Sequence, residues 1–321
     1  MKNNKKKRSN IMVTILSIIM FLLGICIFMY PTVSNYLAKV QYKKAIVSYK
    51  KTNEEIKDDL KEEELEEAIK YNKSLMGDEV YDPFLPGSGY AIPDNYYDVL
   101  NINNNGIMGY IEIPKIKLRI PIYHGSKPDV LQKGIGHLEA SALPIGGVGN
   151  NPVLTGHRGL PSAELFTRLD ELKKGDLVYI YVINDIIAYK VSTTFEIEPG
   201  DVSKLGAHKD RDMLTLITCT PYGINTHRLV IQADRTKYIK EVKDNIKPSH
   251  AFKLSEGTII RLSGIIIGLI FLYVAIKLLN NKEKIKERFF GLISKKKKKK
   301  KNTKKKKTNK KKKVKKNVKK N

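Results

Sequence analysis

Outside its two ends, the chain has no excess of charge of either sign. The 321 residues carry a net charge of +26, but residues 1–10 hold five Lys or Arg and no acid, and residues 282–321 hold 23 Lys or Arg and two Glu. Residues 11–281 are therefore neutral overall, which excludes a globular domain that binds nucleic acid through a basic surface. The Lys-rich tail from Lys295 has no aromatic side chains that could stack on bases, so we expect it to be disordered and to contact anionic lipids.

Cysteine is also scarce, because Cys26 and Cys219 are the only two in the chain. Cys26 lies within a long apolar run near the N-terminus, which leaves Cys219 without an intramolecular disulfide partner. A zinc site built on Cys219 would need several histidines around it. A lone thiol of this kind is either a buried spectator or a nucleophile. We expect neither a metal nor a cofactor.

Two apolar runs, each flanked on its outer side by lysines, predict two membrane spans. Ile11–Tyr30 contains no charged residue, and Ile259–Leu279 contains only Arg261 and Lys277, close to its ends. Twenty residues of helix extend about 30 Å, the thickness of a bilayer's hydrocarbon core. The excess of Lys and Arg outside both runs predicts that both termini are cytoplasmic and that residues 31–258 lie outside the cell membrane.

The segment 31–77 follows the first run and is rich in Lys and Glu. It contains a partial apolar stripe, so we predict a helix from residue 35 to residue 76, ended by Gly77. A cleaved signal peptide is the alternative interpretation of the first run, with a weak cleavage site at Tyr36-Leu37-Ala38.

The remaining boundaries follow from changes in composition. Residues 78–105 form a Pro-, Gly- and Asn-rich loop, residues 106–238 a β-rich domain, and residues 239–258 a linker. The second span covers residues 259–279, and residues 280–321 form the cytoplasmic tail.

The β-rich domain shows short alternating segments separated by turns. We also expect a short helix from Ser162 to Leu172, and six to eight strands of this kind predict a closed barrel or a sandwich. The strand candidates are Gly109–Ile113, Lys117–Ile122, Asn151–Thr155, Leu177–Val182, Ile186–Glu196, Met213–Thr218 and His227–Gln232.

Three local patterns carry residues suited to nucleophilic catalysis. His157 stands between glycines at the end of one predicted strand, in Leu154-Thr155-Gly156-His157-Arg158-Gly159. Cys219 ends another, in Thr215-Leu216-Ile217-Thr218-Cys219, and Arg228 begins the strand that returns nine residues later. A hairpin of that size brings Cys219 and Arg228 onto adjacent strands. A thiol needs a nearby base or cation to form thiolate, and acyl transfer needs a donor for the oxyanion, so we expect an exposed, reactive Cys219.

These stretches resemble the signature of the sortase family, in which a TLxTC strand end and a downstream Arg accompany a TGH-type His. The resemblance covers roughly Gly109 to Arg235. It implies an eight-stranded β-barrel transpeptidase, with Cys219 as nucleophile, His157 as general acid and base, and Arg228 orienting the substrate and stabilising the oxyanion.

Further features resemble the class C, pilin-polymerising sortases: a second membrane span, a long loop before the barrel, and the motif Asp82-Pro83-Phe84 within that loop. By this resemblance the loop is a lid, in which Phe84 covers Cys219 and Asp82 pairs with Arg228. An ordinary turn is the simpler interpretation of the same three residues.

The resemblance also implies the substrates. The enzyme would cleave an LPxTG-like sorting signal between Thr and Gly through a thioacyl intermediate and join it to a lysine amine of a pilin subunit. Attachment of surface proteins to a cell-wall precursor is the nearer alternative, and a non-catalytic, membrane-tethered binding barrel is the more distant one. The expected partners are pilin or surface proteins with C-terminal sorting signals and the membrane lipids around the two spans, without nucleic acid.

The other histidines receive no catalytic role from the sequence. His124, His137, His208 and His250 lie in turn-like or linker contexts, and we expect them to be surface or structural residues. Strand alternation points His227 away from Arg228.

Overall fold

A computed structural model describes residues 2–75, 94–249, 263–270, 272–273 and 277. The chain divides into two compact units. One unit contains residues 1–28 and 254–321, and the other contains residues 29–253. The motif at Asp82 and Phe84, most of the predicted second span, His250 and the Lys-rich tail lie outside the described residues.

The first unit contains helical segments from both ends of the chain. Helix α1 runs from Lys2 to Glu55, and residues 263–270 are also helical. A Cβ atom on Gly268 would stand 2.8 Å from a ring carbon of Phe21, so the two segments approach closely at this glycine. One helical stretch in the described chain, Ile18–Glu55, contains an 18-residue window that is apolar enough to cross a membrane, with a mean hydropathy of 1.9.

In the second unit, α1 continues to Glu55 and is followed by α2, Asp58–Ser74. The prediction of one unbroken helix from residue 35 to residue 76 is therefore wrong at Ile56 and Lys57, where Lys57 has extended backbone angles. Asp58 and Asp59 form the first turn of α2 and interact favourably with its helix dipole. The break lets α2 dock on the barrel, where Asn72 accepts a 2.6 Å hydrogen bond from the Leu143 amide.

Eight strands close into a barrel in the order β1-β2-β3-β4-β7-β8-β6-β5, which confirms the predicted fold class. Parallel pairing joins β2 to β3 and β4 to β7, and the other neighbours are antiparallel. The strands are β1 Ile107–Ile113, β2 Leu118–His124, β3 Ile135–His137, β4 Val153–Thr155, β5 Leu177–Val182, β6 Asp185–Ile197, β7 Met213–Thr220 and β8 His227–Thr236.

The barrel interior is filled by alternate residues of the strands. Leu214 and Leu216 of β7 and Leu229 and Ile231 of β8 belong to the main core cluster, together with apolar residues of β1, β2 and β5. Because successive side chains of a strand point to opposite faces, the residues between them face outward. Cys219 and Arg228 are among these outward-facing positions.

Several local predictions are wrong. The expected helix Ser162–Leu172 is a series of turns that ends in a 3-10 turn, Leu169–Glu171. Leu165 has a φ of 35°, a left-handed conformation that an α-helix cannot include. Two further short helices lie outside the predicted elements: α3, Pro128–Leu131, and α4, Lys240–Asp244, which falls in the expected linker.

His124 and His137 lie on strands rather than in turns. His137 on β3 is fully buried, and its Nδ1 lies 2.9 Å from the hydroxyl of Tyr96. His124 ends β2, and its Nε2 lies 2.8 Å from the carbonyl oxygen of Val99. Burial lowers the pKa of His137 to about 3, so this side chain is neutral at physiological pH. Both histidines are structural, as their lack of a partner motif predicts.

Candidate active site

Cys219 and Arg228 face each other across the β7–β8 hairpin. They are direct partners in the antiparallel register, so their Cα atoms are about 4.5–5.5 Å apart and their side chains share a face. Arg228 Nη1 lies 3.4 Å from the carbonyl oxygen of Asn225 and 3.3 Å from that of His227. These contacts hold the guanidinium near the turn of the hairpin.

His157 reaches the same place from the other side of β7. Strand β4 pairs in parallel with β7, and its last residue, Thr155, is the partner of Ile217. His157 follows Thr155 by two residues and Cys219 follows Ile217 by two residues, so the parallel register brings His157 beside Cys219. The Thr218 hydroxyl donates a 2.6 Å hydrogen bond to the Gly156 carbonyl, which holds the histidine segment against β7. Cys219 thus lies on β7, with Arg228 opposite it on β8 and His157 two residues beyond the end of β4 on the other side.

The thiol of Cys219 is buried, contrary to the expectation that it is exposed. Cys219 is 9% exposed and Arg228 is 5% exposed, whereas His157 is half-buried. Burial lowers the pKa of His157 below its ordinary value of 6.5. The neutral imidazole is therefore the predominant form at pH 7, and it can accept a proton from a thiol.

Arg158 connects the histidine segment to the cysteine strand, a contact that sequence reasoning missed. Its Nη1 donates a 3.0 Å hydrogen bond to the hydroxyl of Thr220, the residue after Cys219. Its Nη2 donates a 2.6 Å hydrogen bond to Asp170. The Thr220 hydroxyl also lies 3.3 Å from a carboxylate oxygen of Glu196. The sequence signal was the position of Arg158 directly after His157.

The connection between β6 and β7, called the wall below, packs on the outward face of the sheet, the face on which Cys219 lies. Its residue Leu205 packs in one apolar cluster with Val153, Ile217 and Val230 on the outward face of the sheet. Ile217 lies two residues before Cys219 on that face.

Two side-chain amides hold this wall in place. Asn151 donates a 2.8 Å hydrogen bond to the Leu205 carbonyl, and Gln232 donates a 2.7 Å hydrogen bond to the Lys204 carbonyl. Neither residue stands in a recognisable sequence pattern, so only the folded chain reveals this role.

The opposite side of the site is bounded by the turn between β7 and β8. Gly159 has a φ of 77°, and a Cβ atom there would stand 3.1 Å from the ring of Tyr222. A glycine is therefore required for both the backbone conformation and the close approach of the ring. Tyr222 and Ile224 remain 60% and 68% exposed. His227 lies at the same turn, beside Thr226.

Comparison with known proteins identifies the family. Residues 111–236 match the model of the sortase family, described as the Sortase domain. The structure of sortase C from Streptococcus pneumoniae is 38% identical, with 61% of this chain and 97% of that chain covered and a TM-score of 0.56. Sortase C1 from Streptococcus agalactiae is also 38% identical, covering 61% and 100% with a TM-score of 0.57.

The chain belongs to the sortase family. Its members are cysteine transpeptidases, and the solved structures that it resembles are class C sortases. Among characterised sequences, sortase A of Staphylococcus aureus is 27% identical over 224 residues, which span 69% of this chain and 92% of that protein. A transpeptidase that anchors or polymerises surface proteins therefore follows from the family. In this sortase, Cys219 lies on β7, Arg228 on β8, and His157 just beyond the end of β4.

Proposed function

We propose that Cys219 is the nucleophile of this sortase, His157 its general acid and base, and Arg228 the group that orients the substrate and stabilises the oxyanion. The observation that supports this proposal is the pairing of Cys219 with Arg228 across β7 and β8, together with the position of His157 two residues beyond the end of β4, the other neighbour of β7. The second cysteine, Cys26, lies in the apolar part of α1, which leaves Cys219 as the thiol of the barrel.

The reaction has two acyl-transfer steps. The sulfur of Cys219 attacks the carbonyl carbon of Thr in an LPxTG-like sorting signal, and the bond from that carbon to the Gly nitrogen breaks. His157, having taken the thiol proton, delivers it to the departing amine. An incoming amine then attacks the thioester, loses its proton to His157, and releases the Cys219 sulfur. The guanidinium of Arg228 donates to the oxygen that becomes negative in both steps.

The wall beside Cys219 supports binding of an extended peptide. The segment that carries Leu205 is fixed by Asn151 and Gln232, so this side of the groove is formed before the substrate arrives. A rigid site avoids the entropic cost of ordering a loop on binding. The apolar cluster under the segment keeps the groove floor in place.

The proposed nucleophilic acceptor is a lysine amine of a pilin subunit. The sequence is more similar to the sortase C structures, at 38% identity, than to sortase A of Staphylococcus aureus, at 27%. The sortase C of Streptococcus pneumoniae is described in terms of pilin substrate specificity. The amine of a cell-wall precursor is the alternative acceptor that the similarity to this family favours.

Product analysis distinguishes the two acceptors. Cells that carry the native enzyme are expected to produce a covalent ladder of pilin subunits on denaturing gels. Cys219→Ala is expected to abolish the ladder, whereas the matched variant Cys26→Ser is expected to keep it. A product that consists only of wall-linked monomers would refute the pilin acceptor, and a ladder in the Cys219→Ala cells would refute the nucleophile.

We also propose that the loop 78–105 is a lid, with Phe84 over Cys219 and Asp82 beside Arg228. An aromatic ring excludes water from a thiol, and a carboxylate is a natural partner for a guanidinium. Deletion of residues 78–90 is expected to speed the reaction of Cys219 with a thiol reagent, and Asp82→Ala with Phe84→Ala is expected to do the same. Unchanged labelling rates in both variants would refute the lid.

Finally, we propose that both ends of the chain anchor the enzyme in the cell membrane, with the barrel outside. The apolar window within the helical stretch Ile18–Glu55 supports the first anchor, and the run Ile259–Leu279 is the proposed second anchor. Anchoring raises the effective concentration of enzyme near substrates that cross the same membrane. Protease treatment of intact cells is expected to cleave the barrel and to spare a tag at either terminus.

A further inference from the structure

A cleft of about 430 Å³ opens between α1 and the barrel. Its walls are α1 from residue 35 to residue 50, the start of β2, and residues 164–168. Helix α1 is tied to the barrel at both ends of the cleft. The Ser34 hydroxyl donates a 3.1 Å hydrogen bond to the Ser162 carbonyl, and the Tyr49 hydroxyl donates a 3.0 Å hydrogen bond to the Met108 carbonyl. The cleft is therefore a fixed gap under a helix that is held at two points.

The lining of the cleft is strongly basic. It contains one acid, Glu164, and six cations: Lys39, Lys43, Lys50, Lys117, Arg119 and Arg168. Glu164 pairs with Lys39 at 2.8 Å, and Arg168 pairs with Glu171 at 2.7 Å. In the described part of the chain, the other four cations have no carboxylate within 4 Å. Since residues 11–281 are neutral overall, this excess is a local concentration of charge and does not reflect composition.

Two of the unpaired cations converge on one aromatic ring. The Lys50 ammonium lies 5.5 Å from the ring centroid of Tyr110, and the Arg119 guanidinium lies 4.9 Å from it. Tyr181 stacks on that ring with the centroids 4.3 Å apart, and Arg119 Nη2 donates a 3.3 Å hydrogen bond to the Tyr110 hydroxyl. Two cations gathered around one ring repel each other. An anion between them would convert the repulsion into attraction.

The cleft also contains a hydroxyl that lacks a partner. Tyr42 lines the cleft and is 6% exposed, and its hydroxyl makes no hydrogen bond within the described residues. Apolar side chains complete the walls, including Val47 and Ile116. Cations beside apolar surface and an unused donor are features that suit an amphipathic anion.

The position of the cleft along α1 identifies the source of such an anion. The apolar run of α1 ends at Tyr30, and the cleft begins at Asn35, about 8 Å further along the helix axis. Helical side chains lean toward the N-terminus, so the side chains of Lys39 and Lys43 lean toward the end of the apolar run. With α1 as the proposed membrane anchor, the end of the cleft at Asn35 is the end nearer to the headgroup layer.

We propose that this cleft binds the phosphate headgroup of an anionic phospholipid. Lys43 and Lys117 contact the phosphate from opposite walls, and Val47 and Ile116 contact the glycerol and the first acyl carbons. A bound headgroup neutralises the unpaired cations and fixes the α1 side of the barrel at the membrane surface. The proposal rests on α1 as the membrane anchor and is independent of the catalytic roles of Cys219, His157 and Arg228.

The test uses the full chain in nanodiscs of one part phosphatidylglycerol to four parts phosphatidylcholine. A photoreactive amino acid replaces Val47, which is 56% exposed and lines the cleft, and mass spectrometry identifies the lipids that it captures. The phosphatidylglycerol share of the adducts is expected to exceed its share of the bilayer several-fold. In Lys43→Glu with Lys117→Glu, that share is expected to fall to the bilayer composition.

The matched control is Lys209→Glu with Lys237→Glu, which makes the same change of charge at exposed positions that do not line the cleft. It is expected to retain the enrichment, and both double variants are expected to cleave a soluble sorting peptide at the native rate, which shows that they fold. Adducts that match the bilayer composition in the native chain would overturn the proposal. So would loss of the enrichment on addition of excess inorganic phosphate, which would identify a free-phosphate site, or capture of an acidic peptide in native membranes.

Discussion

Arg158 gives the sharpest test of how the fold holds the proposed catalytic groups in place. Arg158 directly follows His157, and its side chain is 8% exposed. It donates a hydrogen bond to the hydroxyl of Thr220, which directly follows Cys219. Parallel pairing of β4 with β7 covers only three residues, so the spacing between His157 and Cys219 depends on such contacts beyond the strand. Arg158→Ala removes this link without touching any of the three proposed catalytic side chains.

The expected magnitude follows from the two hydrogen bonds. A hydrogen bond from a charged donor contributes about 1.5–3 kcal/mol, whereas the pair with Asp170 contributes at most about 1 kcal/mol, because Asp170 is 49% exposed. We expect Arg158→Ala to lower the free energy of unfolding by about 2–4 kcal/mol. A displacement of about 1 Å between reacting groups can lower the rate about 100-fold, so we expect kcat to fall about 10- to 100-fold while KM changes less than about threefold.

The assay is steady-state cleavage of a fluorogenic sorting peptide by the full chain, below the unfolding temperature of the variant. Arg158→Lys keeps one donor and is expected to recover part of kcat. Arg211→Ala is the matched control, because it removes a half-exposed arginine that pairs with Asp234 at the other end of β7. A variant Arg158→Ala with native kcat and a raised KM would contradict this reasoning, since Arg158 would then act on substrate binding.

Three further predictions concern the pH response and the groove wall. Burial lowers the pKa of His157, and the pair is inactive when both Cys219 and His157 are protonated. We therefore expect kcat/KM to fall on the acid side with a midpoint below pH 6.5. A midpoint at or above pH 6.5 would contradict the burial argument. Asn151→Ala with Gln232→Ala removes three hydrogen bonds to the wall. A loss of at least about 1–2 kcal/mol in the stability of the wall is expected to raise KM about 5- to 30-fold or more, with little change in kcat; an effect on kcat alone would show that the wall does not bind the peptide. The pKa of His137 in the folded state is about 3, so as the pH falls this histidine is protonated in the unfolded state before it is protonated in the folded state. The free energy of unfolding is therefore expected to drop by about 2 kcal/mol from pH 7 to pH 5 through this side chain. Pulse proteolysis in urea measures this drop, which His137→Gln should largely abolish and the exposed control His208→Gln should retain.

The strands that carry Cys219 and Arg228 were predictable because their sequence patterns are local. Runs of apolar and β-branched residues mark both β7 and β8, and the spacing of nine residues gives the hairpin in which Cys219 and Arg228 are partners. The placement of His157 was predictable only from the family resemblance. Its strand has three residues and pairs in parallel with a strand far along the sequence, and no periodicity encodes such a contact.

Other features depend on packing that the sequence does not display. Strand β3, Ile135–His137, has only three residues, too few to show alternation. The expected exposure of Cys219 was wrong, because chemical reactivity gives no information on how the fold covers a side chain. The break between α1 and α2 lacks a Gly or Pro signal, and it exists because Tyr71 and Asn72 of α2 bind the backbone of Glu139 and Leu143. Tertiary contacts override helix propensity at such a point.

The nucleophilic role of Cys219 is tested most directly by the intact mass of the enzyme after mixing with a sorting peptide and no amine acceptor. The native chain and Cys26→Ser are expected to gain the mass of the acyl fragment, and peptide mapping is expected to assign it to Cys219. Cys219→Ala is expected to gain no mass. An adduct that persists in Cys219→Ala, or that maps to another residue, would contradict the proposed thioacyl intermediate.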